Sequence, residues 1–194
     1  MSLSRLSALP AEIRNAIYEY VVTTEQAVTF RLDAFQQEYY APAVQPALTR
    51  VSRKVRAESL PLYYECNEFV LHTESPKAED AWKWLRSNHM YLPIMRRLTL
   101  WIRYVPFADP RASSQGAIGI SIYRPTRADT WRIDADWKWI TVMRRPAELN
   151  GDVKYIMKRL DEALAPISKD GAGPEDYIGM MGHVRLFYVQ EKMS

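Results

Sequence analysis

One cysteine, Cys66, stands among 194 residues, so no disulfide can form within the chain. No apolar run reaches the roughly 18 residues that a membrane-spanning helix needs. The opening Met1-Ser2-Leu3-Ser4-Arg5 lacks the basic and apolar stretches of a secretory signal. These absences predict a protein of a reducing compartment, cytoplasm or nucleus, with no membrane attachment. Excess charge is scarce too. Lys and Arg number 26 against 23 Asp and Glu, and the net charge is +3. A bias that small is not by itself a nucleic-acid footprint. No internal repeat, low-complexity stretch or polar linker interrupts the chain.

Motifs that carry chemistry are missing as well. His72, His89 and His183 lie far apart, without a His-x-x-x-His or Cys-x-x-Cys companion, so a metal site has little support. Cys66 has no neighbouring base motif and reads as a buried apolar residue. Gly171, Gly173, Gly179 and Gly182 do not follow a strand at phosphate-loop spacing and read as a plain loop. Asp134 and Asp136 would share one side of a strand, where paired carboxylates can do acid–base work. A solvated turn between tryptophan-rich strands is the more frequent use of such a pair. With no nucleophile motif and no dinucleotide fingerprint, the sequence predicts a non-catalytic protein with no cofactor and no metal.

What the chain does have is apolar material, 47% of its residues, enough for a sizeable core. Its 25% charged content is ordinary for a folded domain. The length suits one domain, or one with a small appendage. The clearest local signal is Leu9-Pro10-Ala11-Glu12-Ile13-Arg14-Asn15-Ala16-Ile17-Tyr18-Glu19-Tyr20. Pro10 suits the first position of a helix, where its missing N–H costs nothing. Glu12 puts a carboxylate in the first turn, where the helix dipole favours it. Ile13, Ala16, Ile17, Tyr20 and Val21 recur at helical spacing, which predicts an amphipathic helix to about Val22. A second helix is expected from Pro46, with Leu48, Val51, Val55 and Leu62 as its apolar stripe and Val51 and Val55 buried against the first. Pro61 should kink or restart it. Between the two, Gln26–Leu32 alternates like a strand and Gln36–Ala43 reads as loop.

Beyond residue 68 the pattern changes. Phe69–His72 is a short strand-like run, and Pro76–Asn88 reads as a helix with Ala78, Ala81, Trp82 and Leu85 on one face. Arg97–Tyr104 and Ala117–Tyr123 read as strands, separated by a proline- and serine-containing loop over 105–116. Thr130–Met143 alternates tryptophan with polar residues, with room for a bulge or turn at Asp134–Asp136. Asp152 can cap a helix to about Ala165, carrying Ile156, Leu160 and Leu164. Ser168–Pro174 reads as loop and His183–Gln190 as a last strand. All six tryptophans follow residue 80, so this part should hold the larger core or an aromatic surface. The expected class is α+β: a helical unit over 1–68, then a sheet region over 69–194 with about two helices on one face of a mixed sheet. The two parts are expected to form one compact body.

The two helical segments resemble the fungal F-box-like domain of the two-E-x-R type. That family opens on Leu-Pro-x-Glu-Ile-Arg-x-x-Ile-Tyr, and here Leu9, Pro10, Glu12, Ile13, Arg14, Ile17 and Tyr18 stand in those places. Its second motif corresponds to Leu48, Val51, Arg53, Arg56, Glu58, Leu60 and Tyr63 or Tyr64, and its strand to Asn67, Phe69 and Leu71. Ser52 replaces the usual Cys, and Lys54 stands where the second E-x-R would place Glu. The resemblance covers residues 6–73. It implies a partner-binding role: F-box domains dock on the Skp-type adaptor of cullin–RING ubiquitin ligases while the rest of the chain holds a substrate. By position the docking residues would be Leu9, Pro10, Ile13 and Ile17. For Ile13 and Ile17, packing against the second helix and the sheet is the commoner fate of such a stripe.

One further group has a functional reading. Arg50, Arg53 and Lys54 would share a face of a helix running from Pro46, with Arg56 turned away, and form a candidate surface for an anionic partner. Glu58, four residues after Lys54, can pair with it, which favours a solvated, ion-paired face over contact with nucleic acid. Tryptophans can stack on bases, but in alternating strands they more often face a core. The alternatives to an adaptor are a nucleic-acid-associated or host-targeted binding protein that keeps the fold, and a homo-oligomeric structural protein.

Overall fold

The computed structural model describes residues 5–30, 40–74, 77–106, 116–141 and 144–194. The expected ends of elements at Arg31–Leu32, Gln36–Tyr39, Pro76 and Val142–Met143, and most of the expected loop over 105–116, lie outside them. The chain divides into two units, Met1–Glu68 and Phe69–Ser194.

In the first unit a short 3-10 turn, Arg5–Ala8, leads through Pro10 into helix α1, Ala11–Val22. Two three-residue strands follow, β1 (Ala27–Thr29) and β2 (Tyr40–Pro42), paired in parallel with Ala27 opposite Tyr40. Tyr40–Pro42 is thus strand where loop was expected. The second helix does not run from Pro46. A 3-10 turn, Ala47–Arg50, comes first, and helix α2 covers Arg53–Cys66. The break falls at Ser52. Its backbone is extended (φ −160°, ψ 162°) and its hydroxyl accepts a bond from the Val55 N–H at 3.2 Å, a serine N-cap. From that cap α2 runs through Pro61 without restarting. The break also separates the two expected core valines. Val55 is 9% exposed, whereas Val51, just ahead of the cap, is 68% exposed. Val51 is therefore not a core residue, because the helix that would have turned it inward has not yet begun.

Bonds between α1 and α2 fix their relative direction. Residues 14 and 18 of α1 reach Glu58, and Val22 reaches Asn67 just past the end of α2. Contacts advance along both helices together, so the two run in the same sense, with their N-termini at the same end.

The second unit holds strand β3 (Glu68–His72, which starts at the boundary), helix α3 (Lys77–Ser87), a 3-10 turn (His89–Ile94), and strands β4 (Arg97–Arg103) and β5 (Ala117–Tyr123). Short strands β6 (Arg132–Ile133) and β7 (Lys138–Ile140) come next, then helices α4 (Leu149–Ile167) and α5 (Pro174–Met193). β3 neighbours β4 in the sheet, and β4 and β5 pair antiparallel along their whole length, from Arg97 opposite Tyr123 to Arg103 opposite Ala117. The far edge of β5 is shared: β6 pairs near its end and β7 near its start. In this register Leu98, Leu100 and Ile102 lie across from Ile122, Ile120 and Ile118, and all six are fully buried. On the other face Thr99 and Ser121 join their hydroxyls at 2.7 Å.

The structure is α+β, with parallel pairing at β1–β2 and antiparallel pairing at β4–β5. One element differs outright from expectation. His183–Gln190 is not a strand but part of α5, so the second unit carries three helices rather than two. The run His-Val-Arg-Leu-Phe-Tyr-Val-Gln is also compatible with a strand. The buried set Tyr177, Met180, Met181, Val184 and Tyr188 instead repeats every three or four residues, and Leu186 is 56% exposed. The start of α5 also lies in the expected glycine loop. Pro174 stands in the first turn, and the Asp176 carboxylate accepts a bond from the Gly173 N–H at 2.8 Å.

Candidate docking surface

Helix α1 has two faces of different chemistry. Arg14, Tyr18 and Val22, spaced four residues apart, form the inner one. Arg14 grips Glu58 with two prongs, Nε to Oε2 at 3.1 Å and Nη2 to Oε1 at 2.9 Å, and its third nitrogen, Nη1, donates to the Leu9 carbonyl at 2.7 Å. The Tyr18 hydroxyl donates to the same carboxylate at 2.9 Å. Hydrogen bonding from Arg14, aided by Tyr18, holds the Glu58 carboxyl below its usual range. Burial, then the carboxylate beside it, pushes the Tyr18 hydroxyl up, so it remains a donor.

Asn67 closes the other end. Its amide nitrogen donates to the Val22 carbonyl at 2.9 Å and the Tyr63 carbonyl at 2.8 Å. Its oxygen accepts from the Thr24 N–H at 2.7 Å and the Thr24 hydroxyl at 2.8 Å. All four bonding positions of a buried amide are filled. The polar letters of the family-like motifs, Arg14, Tyr18, Glu58 and Asn67, thus tie α1 to α2 and to the turn that follows α1.

The outer face of α1 is apolar and uncovered. Ile13 is 50% exposed, Ile17 37%, Val21 51% and Tyr20 88%. Pro10 is exposed at the head of the row, and Leu9 is half-buried. Packing of Ile13 and Ile17 against the second helix is therefore corrected. Arg14 and Tyr18 make the hydrogen bonds to α2, and Ile13 and Ile17 stay exposed. All four expected docking residues, Leu9, Pro10, Ile13 and Ile17, lie on α1 or the residues leading into it, two of them on its outer face.

The basic group lies at the N-terminal end of α2. Arg50, Arg53, Lys54 and Arg56 are all exposed. Two expectations for them change. Ser52 interrupts the helix, so Arg50 belongs to the preceding turn while Arg53 and Lys54 open α2. The three cations therefore sit at the junction of a turn and a helix instead of along one continuous helix. Glu58 accepts hydrogen bonds from Arg14 and Tyr18, and Lys54 acts on it only as a nearby charge. None of the four cations forms an ion pair among the described residues.

In the second unit a group of ionisable side chains comes together that no local sequence pattern marks. Tyr104 donates to the Glu148 carboxylate, and Tyr188 donates to Asp152 Oδ2 at 3.0 Å while accepting the Val105 N–H at 3.3 Å. Lys192, with 5% of its side chain exposed, meets Asp152 Oδ1 at 2.6 Å. Burial and the neighbouring carboxylates push both tyrosine hydroxyls up, so they remain protonated and donate. The group joins the residues just past β4 to α4 and α5, and each of its charges faces a partner, which makes it a cross-link of the core. Elsewhere, His72 stacks on Trp101 with ring centres 4.5 Å apart, and Cys66 is half-buried. Asp134 accepts the Asp136 N–H at 3.1 Å, as a turn does. Among the described residues no group of His, Cys, Asp and Glu could hold a metal ion, and no helix is long and apolar enough to cross a membrane.

Compared with protein-family models, with curated proteins and with solved structures, the chain matches none.

Proposed function

We propose that this chain is a non-catalytic interaction protein, and that the outer face of α1 docks the Skp-type adaptor of a cullin–RING ubiquitin ligase. The observation that carries the docking is the uncovered row Ile13, Ile17 and Val21, headed by Pro10. An amphipathic helix normally buries its apolar stripe against its own domain. Here the inner face is held by Arg14, Tyr18 and Glu58, and the apolar stripe is left for a partner. A partner helix laid along that row would find apolar anchors at positions 13, 17 and 21, the spacing that helix-in-groove recognition uses. Covering the exposed half of one isoleucine is worth about 1 kcal/mol. The resemblance to fungal F-box-like domains names the adaptor, and the row supplies the surface that such a reading requires.

The test is a direct titration of purified full-length protein with a purified Skp-type adaptor. Wild type should bind. Ile13→Ser with Ile17→Ser should abolish binding with an unchanged thermal melt, and Leu9→Ala with Pro10→Ala should abolish it with the fold mostly intact. A wild-type protein that binds no adaptor ends the ligase reading.

A further inference from the structure

The cations at the start of α2 do not belong to the docking row just described, and the structure removes the counter-charge that the sequence offered them. Glu58 is committed to Arg14 and Tyr18. Arg50, Arg53, Lys54 and Arg56 fall within seven residues, all exposed and without an ion pair among the described residues. Residues 46–57 around them hold no Asp or Glu, so no acidic residue lies between these cations in sequence. In their midst Val51 is 68% exposed. The Ser52 cap holds the arrangement, since it ends the 3-10 turn and starts α2 between Arg50 and Arg53.

We infer that the junction of the Ala47–Arg50 turn with α2 binds an acidic peptide segment of a protein partner, Arg50, Arg53 and Lys54 meeting carboxylates and Val51 meeting an apolar side chain between them. Charge complementarity selects an anion. The valine selects among anions. A phosphate backbone gains nothing from an exposed aliphatic side chain at the centre of the patch, and the rest of the chain has no positive excess to continue a phosphate track. An acidic segment with interspersed apolar residues uses both features. This surface goes beyond the adaptor reading and stands or falls apart from it.

The test is fluorescence anisotropy with the full chain and a labelled peptide of about fifteen residues, roughly four helical turns, built from Glu, Leu and Ala. A version with Gln for Glu, a single-stranded oligothymidylate and a DNA duplex serve as comparisons. The Glu peptide should bind, more weakly as salt rises, and the Gln version should not. Arg53→Glu with Lys54→Glu should weaken binding at least tenfold. Its melt should be no lower than wild type, because carboxylates suit a helix start better than cations do. Arg50→Gln with Arg53→Gln gives the same readout without introducing new charge. Val51→Ser should weaken binding severalfold while leaving its salt dependence unchanged. Ile13→Ser with Ile17→Ser should leave peptide binding as it is, which separates this surface from adaptor docking. Tighter binding to either nucleic acid than to the Glu peptide overturns the proposal. So does equal binding of the Glu and Gln peptides, full binding by the charge-reversed protein, or no binding by any probe.

Discussion

Arg14 and Glu58, 44 residues apart in sequence, meet in a two-pronged ion pair that decides which face of α1 looks inward. The guanidinium is anchored further by the Leu9 carbonyl, and the carboxylate by the Tyr18 hydroxyl. Planar, paired bonds of this kind are specific to arginine; a lysine at 14 could make only a point contact.

The pair predicts how the first unit responds to acid. Glu58 titrates below its ordinary value of 4.5 in the folded chain. Its contribution to stability is complete above that value and is lost as the pH falls through the lower, folded one. Glu58→Gln should therefore melt below wild type at neutral pH, and the gap between the two should close at acid pH. Circular-dichroism melts of both proteins across a pH series check this. A gap that stays constant to the acid end would show that the carboxylate's charge is not what stabilises the contact.

A second prediction contrasts two valines four residues apart. Val55→Asp puts an unpaired carboxylate into a site only 9% exposed and should cost about 3 kcal/mol. Val51→Asp, at 68% exposure, should stay within about 0.5 kcal/mol of wild type. Urea denaturation of the two variants measures both. Similar losses would place the start of α2 wrongly.

The third prediction concerns two glycines inside α5. A Cβ at Gly179 or Gly182 would meet nothing within 4 Å. Glycine in the middle of a helix costs about 1 kcal/mol relative to alanine. Gly179→Ala and Gly182→Ala should each raise stability by about 0.5–1 kcal/mol, read as a higher melting temperature. Gly116 should behave in the opposite way, because a Cβ there would sit 2.1 Å from the Trp139 ring.

Much of this was legible in the residues. Helix α1 announced itself through Pro10 and Glu12, and β5 appears over Ala117–Tyr123 as expected, because its isoleucines alternate strictly. The errors share a cause. At His183–Gln190 an eight-residue window fits a period of two as well as it fits a helix, and only the residues from Pro174 onward resolve the ambiguity. At Ser52 a single side-chain cap outweighed an apolar spacing that ran unbroken through it. The outward turn of Ile13 and Ile17 was the hardest to foresee. Periodicity says that a stripe exists, but a pairing between residues 14 and 58 determines which stripe is inside. Lys192, Asp152 and Tyr188 come together only in the folded chain, and nothing local marks them.

Asn67 gives the first unit a built-in clock. Its amide is 2% exposed, and every one of its bonding positions is taken. Hydrolysis of that amide to a carboxylate requires attack on a group that solvent reaches only when the end of α2 opens. The product cannot return to the same place, because the oxygen that replaces the amide nitrogen would face the carbonyls of Val22 and Tyr63, where two N–H donors stood before. Chemical ageing at this one position therefore accumulates in proportion to the fraction of time the helix end spends open, and each conversion is irreversible. An old preparation carries in its mass spectrum a measure of how much of its time the helical unit has spent undone.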